Sequence, residues 1–251
     1  MSTRSTTIPN YSATEQPLSN CRWLVFDAVG TLIDPEPSVA VAYHEVGMRF
    51  GATLSVEEVG RRFRTAFRAS ESDGFPGGPP PGALVSNDAI EVARWRWIVG
   101  EVFSEIFDRE ACYQELWNHF ARPTSWRCFE DVGDALRRLR NGGYRLAIAS
   151  NFDRRLHLIC NELPELNPIE HRVVSAEVGY RKPAADFYSS LIASCACDPR
   201  DILMIGDNYA NDVQGPEAAG MRALHLERRQ APSEASQIRT LSEFVERLMG
   251  S

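Results

Sequence analysis

The sequence predicts an α/β protein whose core is a Rossmann-like, doubly wound parallel sheet, with a helical segment inserted into it. Three observations lead there. Short apolar runs of strand length recur along the chain, helix-length segments alternate with them, and between Asp34 and about Trp126 the alternation gives way to helical patterns alone.

The first run, WLVFD (Trp23 to Asp27), ends in an acid and meets the Gly-Thr turn of AVGTL, the pattern of a buried strand entering a loop. In the segment that follows, Ser55 with Glu58 and Asp88 with Glu91 read as capping boxes that open two helices, and Trp95, Ile98, Val99, Val102 and Phe103 give the second an apolar face. Gly74 to Gly82 (GFPGGPPPG) is too rich in turn residues for a helix and reads as a loop. The rhythm resumes with a helix from about Asp131 to Arg140, stopped at Asn141-Gly142-Gly143, and then RLAIAS (Arg145 to Ser150). A weaker strand at RVVS (Arg172 to Ser175), the strands DILMIGD (Asp201 to Asp207) and RALHL (Arg222 to Leu226), and a last helix capped by Thr240 with Glu243 complete it. The expected organisation is a flexible tail over 1–20, a core from 21–33 and 127–251, and a helical domain over 34–126.

Charge and composition narrow the function. The net charge of −7 is scattered and contains no basic run able to neutralise a line of phosphates, so nucleic acid is not an expected partner. No apolar stretch approaches the roughly 20 residues that span a bilayer, and the Ser/Thr-rich start lacks a signal peptide's apolar block, so a cytoplasmic protein without membrane contact is expected. Nothing in the sequence sets an oligomeric state. The six cysteines (Cys21, Cys112, Cys128, Cys160, Cys195, Cys197) read as reduced packing residues, and the five histidines (His44, His119, His157, His171, His225) lack metal spacing.

In an open parallel sheet the C-terminal strand ends converge on one crevice, where ligands bind. The residues that fall there are Asp27, Ser150 and Asp207, joined by Lys182 from GYRKP and Asp212 from GDNYAND. Carboxylates, a lysine and a hydroxyl together suit a phosphoryl group beside a hard divalent cation: the acids hold Mg²⁺, while lysine and hydroxyl hold phosphate oxygens. A phosphorylated small molecule is the partner this chemistry implies.

Four stretches in this order, LVFDAVGTL, IASN, GYRKP and GDNYANDVQG, resemble the four motifs of the haloacid dehalogenase (HAD) superfamily, and the helical insert sits where members carry a cap. The segment RWRWIVGEVF resembles the branch named for the rhythmically expressed gene 2 product. The resemblance implies a hydrolase in which Asp27 is the nucleophile that becomes an aspartyl-phosphate. It further implies that Ser150 and Lys182 neutralise the transferring oxygens, that Asn151 helps position phosphate, and that Mg²⁺ is held by Asp27, Asp207, the backbone carbonyl of Val29 and, directly or through water, Asp212.

One position departs from the pattern. Phosphatases of the superfamily carry a second aspartate two residues after the nucleophile, as general acid and base, and here that place is Val29. Such help is typically worth about 10²–10⁴-fold, so its absence implies weak or restricted activity. A non-catalytic phosphate-binding relative is the alternative reading. A 2-haloacid dehalogenase is the third; those enzymes need no second acid, but their fourth motif lacks the metal-binding aspartate that GDN supplies here. The insert's tryptophans and phenylalanines are expected to form its own core, with some reaching the substrate.

Overall fold

The computed structural model describes residues 21–72, 74–228 and 237–250. The tail expected over 1–20 lies outside the described residues. In chain order the elements are β1 (Trp23–Phe26), β2 (Ile33–Pro35), α1 (Val39–Arg49), α2 (Val56–Ser72), α3 (Asp88–Val102), α4 (Arg109–Ala121) and β3 (Trp126–Cys128). There follow α5 (Val132–Asn141), β4 (Arg145–Ser150), α6 (Arg155–Glu162), β5 (His171–Val174), α7 (Ser175–Val178), α8 (Ala185–Cys195) and β6 (Ile202–Gly206). A π-helical turn over Tyr209–Gln214, then α9 (Gly215–Ala218), β7 (Arg222–Leu226), β8 (Gln237–Ile238) and α10 (Leu241–Met249) end the chain.

Six strands form one parallel sheet in the order β5-β4-β1-β6-β7-β8. Its middle strand shows why a near-continuous apolar run is required. Along β1 the buried side chains alternate, Leu24 and Phe26 packing with α5, α6 and α10, Trp23 and Val25 packing with Phe187, Tyr188 and Leu191 of α8. Both faces are thus covered, as parallel sheets demand. Strand order reverses beside β1, so the crevice at its C-terminal end is the place where a ligand would bind.

The four helices α1–α4 share a separate apolar cluster centred on Tyr43, Val59, Ile98, Val102 and Phe103. The chain leaves for them along β2 and returns along β3, and these two short strands pair antiparallel, Ile33 with Cys128 and Pro35 with Trp126. This ribbon was not legible in the sequence. The capping reading holds at two helices: Ser55 Oγ accepts from the Glu58 amide at 3.2 Å, and Thr240 Oγ1 from the Glu243 amide at 3.0 Å, with the Glu243 carboxylate returning to the Arg239 amide at 2.8 Å. It needs correction at α3, where Asn87, one residue earlier than Asp88, caps by accepting from the Ile90 amide at 2.9 Å. Glu91 is consequently free to turn inward, where it accepts from Ser86 Oγ at 2.9 Å.

The six cysteines are free. Burial pushes the thiols of Cys112, Cys128 and Cys195 up to about 12, so they remain protonated packing groups. Among the described residues no helix is long and apolar enough to cross a membrane.

Candidate active site

Asp27 follows β1 directly, and the turn behind it is built by three amides, Thr31, Leu32 and Ile33, that all donate to the Ala28 carbonyl. These hydrogen bonds leave the Val29 carbonyl out. Gly30 completes the turn at φ 88°, and a Cβ there would stand 2.5 Å from an Asp207 carboxylate oxygen, so both the backbone angle and the approach of Asp207 require glycine. A Cβ at Gly206 would likewise meet Asp212 Oδ2 at 2.3 Å.

These close approaches gather three carboxylates. Asp27, Asp207 and Asp212 each place an oxygen within 4.8 Å of the others. Lys182 is driven into the same cluster: its Nζ, buried, donates to Asp27 Oδ1 at 2.8 Å, Asp212 Oδ1 at 2.6 Å and the Ala149 carbonyl at 2.8 Å. Burial alone would lower the Lys182 ammonium, but the charges of Asp212 and Asp27 outweigh it and hold the group well above the usual lysine range. Burial raises the Asp212 carboxyl, and Lys182 pulls it back.

Asp207 has no such partner. Part of the residue is open to solvent, yet its carboxyl packs against Gly30 and accepts from Thr31 Oγ1 at 3.3 Å. That loss of water, followed by repulsion from Asp27 and Asp212, pushes it up to about 7. One ammonium against three carboxylates leaves negative charge for a cation to balance, and the donors are all hard oxygens. The residues therefore fit Mg²⁺, with Asp27 and Asp207 among the carboxylates that would hold it.

The crowding has a measurable consequence in metal-free protein. The folded chain keeps on Asp207 a proton that the unfolded chain, with a carboxyl near 3.8, has released, so the native state binds more protons between pH 3.8 and about 7. Stability with a chelator present is expected to fall as pH rises through that window, and Mg²⁺ to restore it most at the upper end. Melting curves at about pH 5 and about pH 7.5 read this directly; in Asp207→Asn the difference attributable to this group, and its recovery by Mg²⁺, should vanish.

Ser150, the last residue of β4, is buried and lines the crevice with Asp27 and Lys182. Asn151, expected to position phosphate, spends both ends of its carboxamide on Lys182: Nδ2 donates to the lysine carbonyl at 3.0 Å and Oδ1 accepts from its amide at 2.7 Å. Its contribution in this structure is to fix the loop that presents the lysine.

The crevice, of about 220 Å³, also takes Phe67, Glu71, Glu91, Arg94 and Trp95 from the insert and Arg181 from the loop before Lys182. From sequence Glu91 was read only as a cap and Trp95 as part of an apolar face, and neither Arg94 nor Arg181 was assigned to the site. For Arg181 the signal was its place in GYRKP; for Arg94 it was an arginine at helical spacing from both Glu91 and Ile98, where it is 4 % exposed. His225 Nε2 lies 3.1 Å from the Asp207 carbonyl, outside the carboxylate cluster.

Comparison with known proteins gives a consistent result. A family model described as haloacid dehalogenase-like hydrolase matches residues 21–220. The human protein named haloacid dehalogenase-like hydrolase domain-containing protein 3 is 29% identical over 207 residues, covering 80% of each chain. Among solved structures, a HAD-hydrolase from Bacillus subtilis bound to magnesium superposes with a TM-score of 0.69 at 17% identity, covering 91% of this chain and 98% of that one. A HAD phosphatase from Thermococcus onnurineus gives 0.64 at 21% identity, covering 91% and 98%. At these identities the two structures speak to the fold.

Proposed function

The chain belongs to the haloacid dehalogenase-like hydrolase family, and we propose that it is a Mg²⁺-dependent hydrolase of a phosphorylated small molecule that works through an aspartyl-phosphate on Asp27. The observation that carries the reading is the Asp27 carboxylate at the end of β1, 2.8 Å from the Lys182 ammonium and facing Asp207 and Asp212. The family match supports hydrolysis, and the carboxylates beside Lys182 support a phosphoryl group with a divalent cation.

In the first step a carboxylate oxygen of Asp27 attacks phosphorus, the bond from phosphorus to the ester oxygen breaks, and that oxygen leaves with the bonding pair. Lys182 and Ser150 meet the negative charge on the phosphoryl oxygens. In the second step water attacks phosphorus, the acyl–phosphate link breaks, phosphate departs, and the Asp27 carboxylate returns with a proton released to solvent. Asp27, Asp207 and the Val29 carbonyl, with Asp212 directly or through water, would hold Mg²⁺, which would supply positive charge to the phosphoryl oxygens. The helices of residues 34–126 act as a cap that excludes water, since Phe67 and Trp95 stand on the crevice wall.

Val29 carries no proton. An alkoxide must therefore leave unassisted, whereas aryl and acyl phosphates leave without help, and water attack on the intermediate is slowed as well. Val29→Asp is expected to raise steady-state hydrolysis of an alkyl phosphate at least about tenfold, set below the usual 10²–10⁴ because a grafted acid is rarely well oriented. Val29 also favours a second reading, a phosphate binder without turnover. Assays of wild type and variant on one aryl and one alkyl phosphate decide: no activity in either selects the binder, and alkyl esters cleaved as fast as aryl ones by wild type would mean another group supplies the proton.

A further inference from the structure

We propose that the substrates of this protein carry a hydrophobic, ring-sized organic group, held in an apolar cavity that opens from the crevice at Val29. The inference rests on the proposed reading that the crevice takes the phosphoryl group, and it names what the rest of the molecule must be.

The cavity measures about 270 Å³ and lies between the insert and the sheet, walled by Tyr43, Phe63, Tyr113 and Trp117 from the helices and Trp126 from β3. For scale, an apolar void of roughly 150 Å³ takes benzene. It is not a separate chamber. Val29, Phe67, Trp95, Asn151, Phe152 and Arg155 line both it and the crevice, while Asp27, two residues before Val29, faces only the crevice. A group esterified to a phosphoryl at Asp27 and directed past Val29 enters this space.

The walls select by what they withhold. Asn151 is committed to Lys182. Arg155 is held bidentate by Asp153 at 2.8 and 2.7 Å, donates to the Trp117 carbonyl at 3.2 Å, and lies 3.5 Å over the Trp117 ring. Trp126 Nε1 is spent on the Phe120 carbonyl at 3.1 Å. A sugar or polyol would lose its water here and find few partners, at about 1–3 kcal/mol for each hydroxyl left unpaired. An apolar ring loses nothing and covers aromatic surface. Nor do the charges on the insert side ask for a second anion. Arg94 stands 3.7 Å from Glu91 and 3.5 Å from Glu71, and Arg181 donates to Glu71 at 3.0 Å, so the group neutralises itself.

Phosphonates test this apart from turnover, because their carbon–phosphorus bond is not cleaved and their binding needs no general acid. The full chain with Mg²⁺ is titrated calorimetrically with inorganic phosphate, methylphosphonate, benzylphosphonate and 1-naphthylmethylphosphonate. Affinity should rise at least tenfold from the methyl to the naphthylmethyl compound. Leu116 of α4 also lines the cavity, and in Leu116→Trp, which puts a larger side chain into it, that preference should shrink to within threefold. Equal affinity for all the phosphonates in wild type would overturn the cavity assignment while leaving the phosphoryl reading intact. Failure of every ligand, inorganic phosphate included, would overturn both. A preference undiminished in a folded Leu116→Trp would place the ring elsewhere on the protein and likewise overturn the proposal; should that variant not fold, the series on wild type still decides.

Discussion

Asp27→Asn is expected to lower Mg²⁺-dependent hydrolysis of an aryl phosphate by about 10⁴-fold or more, with no loss of thermal stability. The size follows from removing the atom that forms the bond to phosphorus, since nucleophile knockouts in other hydrolases cost that much or more. The stability half of the expectation is less obvious and comes from the cluster. The carboxamide keeps the shape of the side chain and an oxygen able to accept from Lys182, which retains Asp212 at 2.6 Å. What disappears is one of the charges that push Asp207 up. Relief of that repulsion should leave the melting temperature unchanged or higher without metal. Steady-state rates, a search for a phosphoryl adduct on acid-quenched protein, and melting curves belong together. Adduct in wild type and none in the variant is the expected pair. Turnover surviving in Asp27→Asn would end the claim that it is the nucleophile, whereas a melting temperature lower by several degrees would assign the lost activity to damaged folding.

Lys182→Met should have the larger effect on stability. The ammonium is the shared partner of Asp27 and Asp212, and its side chain is 2% exposed. Removing one member of a buried ion pair leaves the other charge without compensation, typically at about 3–5 kcal/mol. For a chain of this size that corresponds to a melting temperature lower by about 6–20 °C. The carboxylates can escape by taking up protons, so the loss should be greater at pH 8 than at pH 5. Adding Asp212→Asn should recover part of it, and a double-mutant cycle measures how much. Equal melting temperatures for wild type and Lys182→Met across this pH range would show that the pair is not a structural element. Turnover should be lost in both the single and the double variant, because neither restores positive charge beside the transferring group.

The sheet and the carboxylate cluster were legible in the sequence for the same reason. A parallel strand buried on both faces has to be an apolar run, and the polar residue that ends it marks the crevice; WLVFD and DILMIGD show both at once, as does RLAIAS with its terminal serine. Other features left no such mark. The strands β2 and β3 have three residues each, and Pro35 argues against a strand at all, so only pairing across the whole insert creates them. At α3 two consecutive capping residues, Asn87 and Asp88, competed, and the Glu91 that seemed to fix the choice instead faces Ser86. Asn151 was placed on phosphate by the resemblance of IASN to a family motif, although its carboxamide matches the amide and the carbonyl that Lys182 presents to it. The cavity was beyond reach in principle. Its walls come from Val29, Tyr43, Phe63 and Trp126, and the aromatic residues among them are indistinguishable by type from those packed inside the insert.

The ribbon of β2 and β3 bears on how the chain reaches this structure. The sheet requires β1 to find β4 across the whole excursion of the insert, a closure whose entropic cost grows with the logarithm of the intervening length, at about 0.6 kcal/mol for each doubling. Because Pro35 and Trp126 are paired neighbours, α1–α4 begin and end at one point. Once they have collapsed on their own apolar cluster, the excursion counts as a tight turn, and β1 and β4 meet as if little separated them. The length of the insert is thereby uncoupled from the pairing of the central strands, and helices can be lengthened or exchanged on one side of the ribbon without the sheet on the other side registering the change.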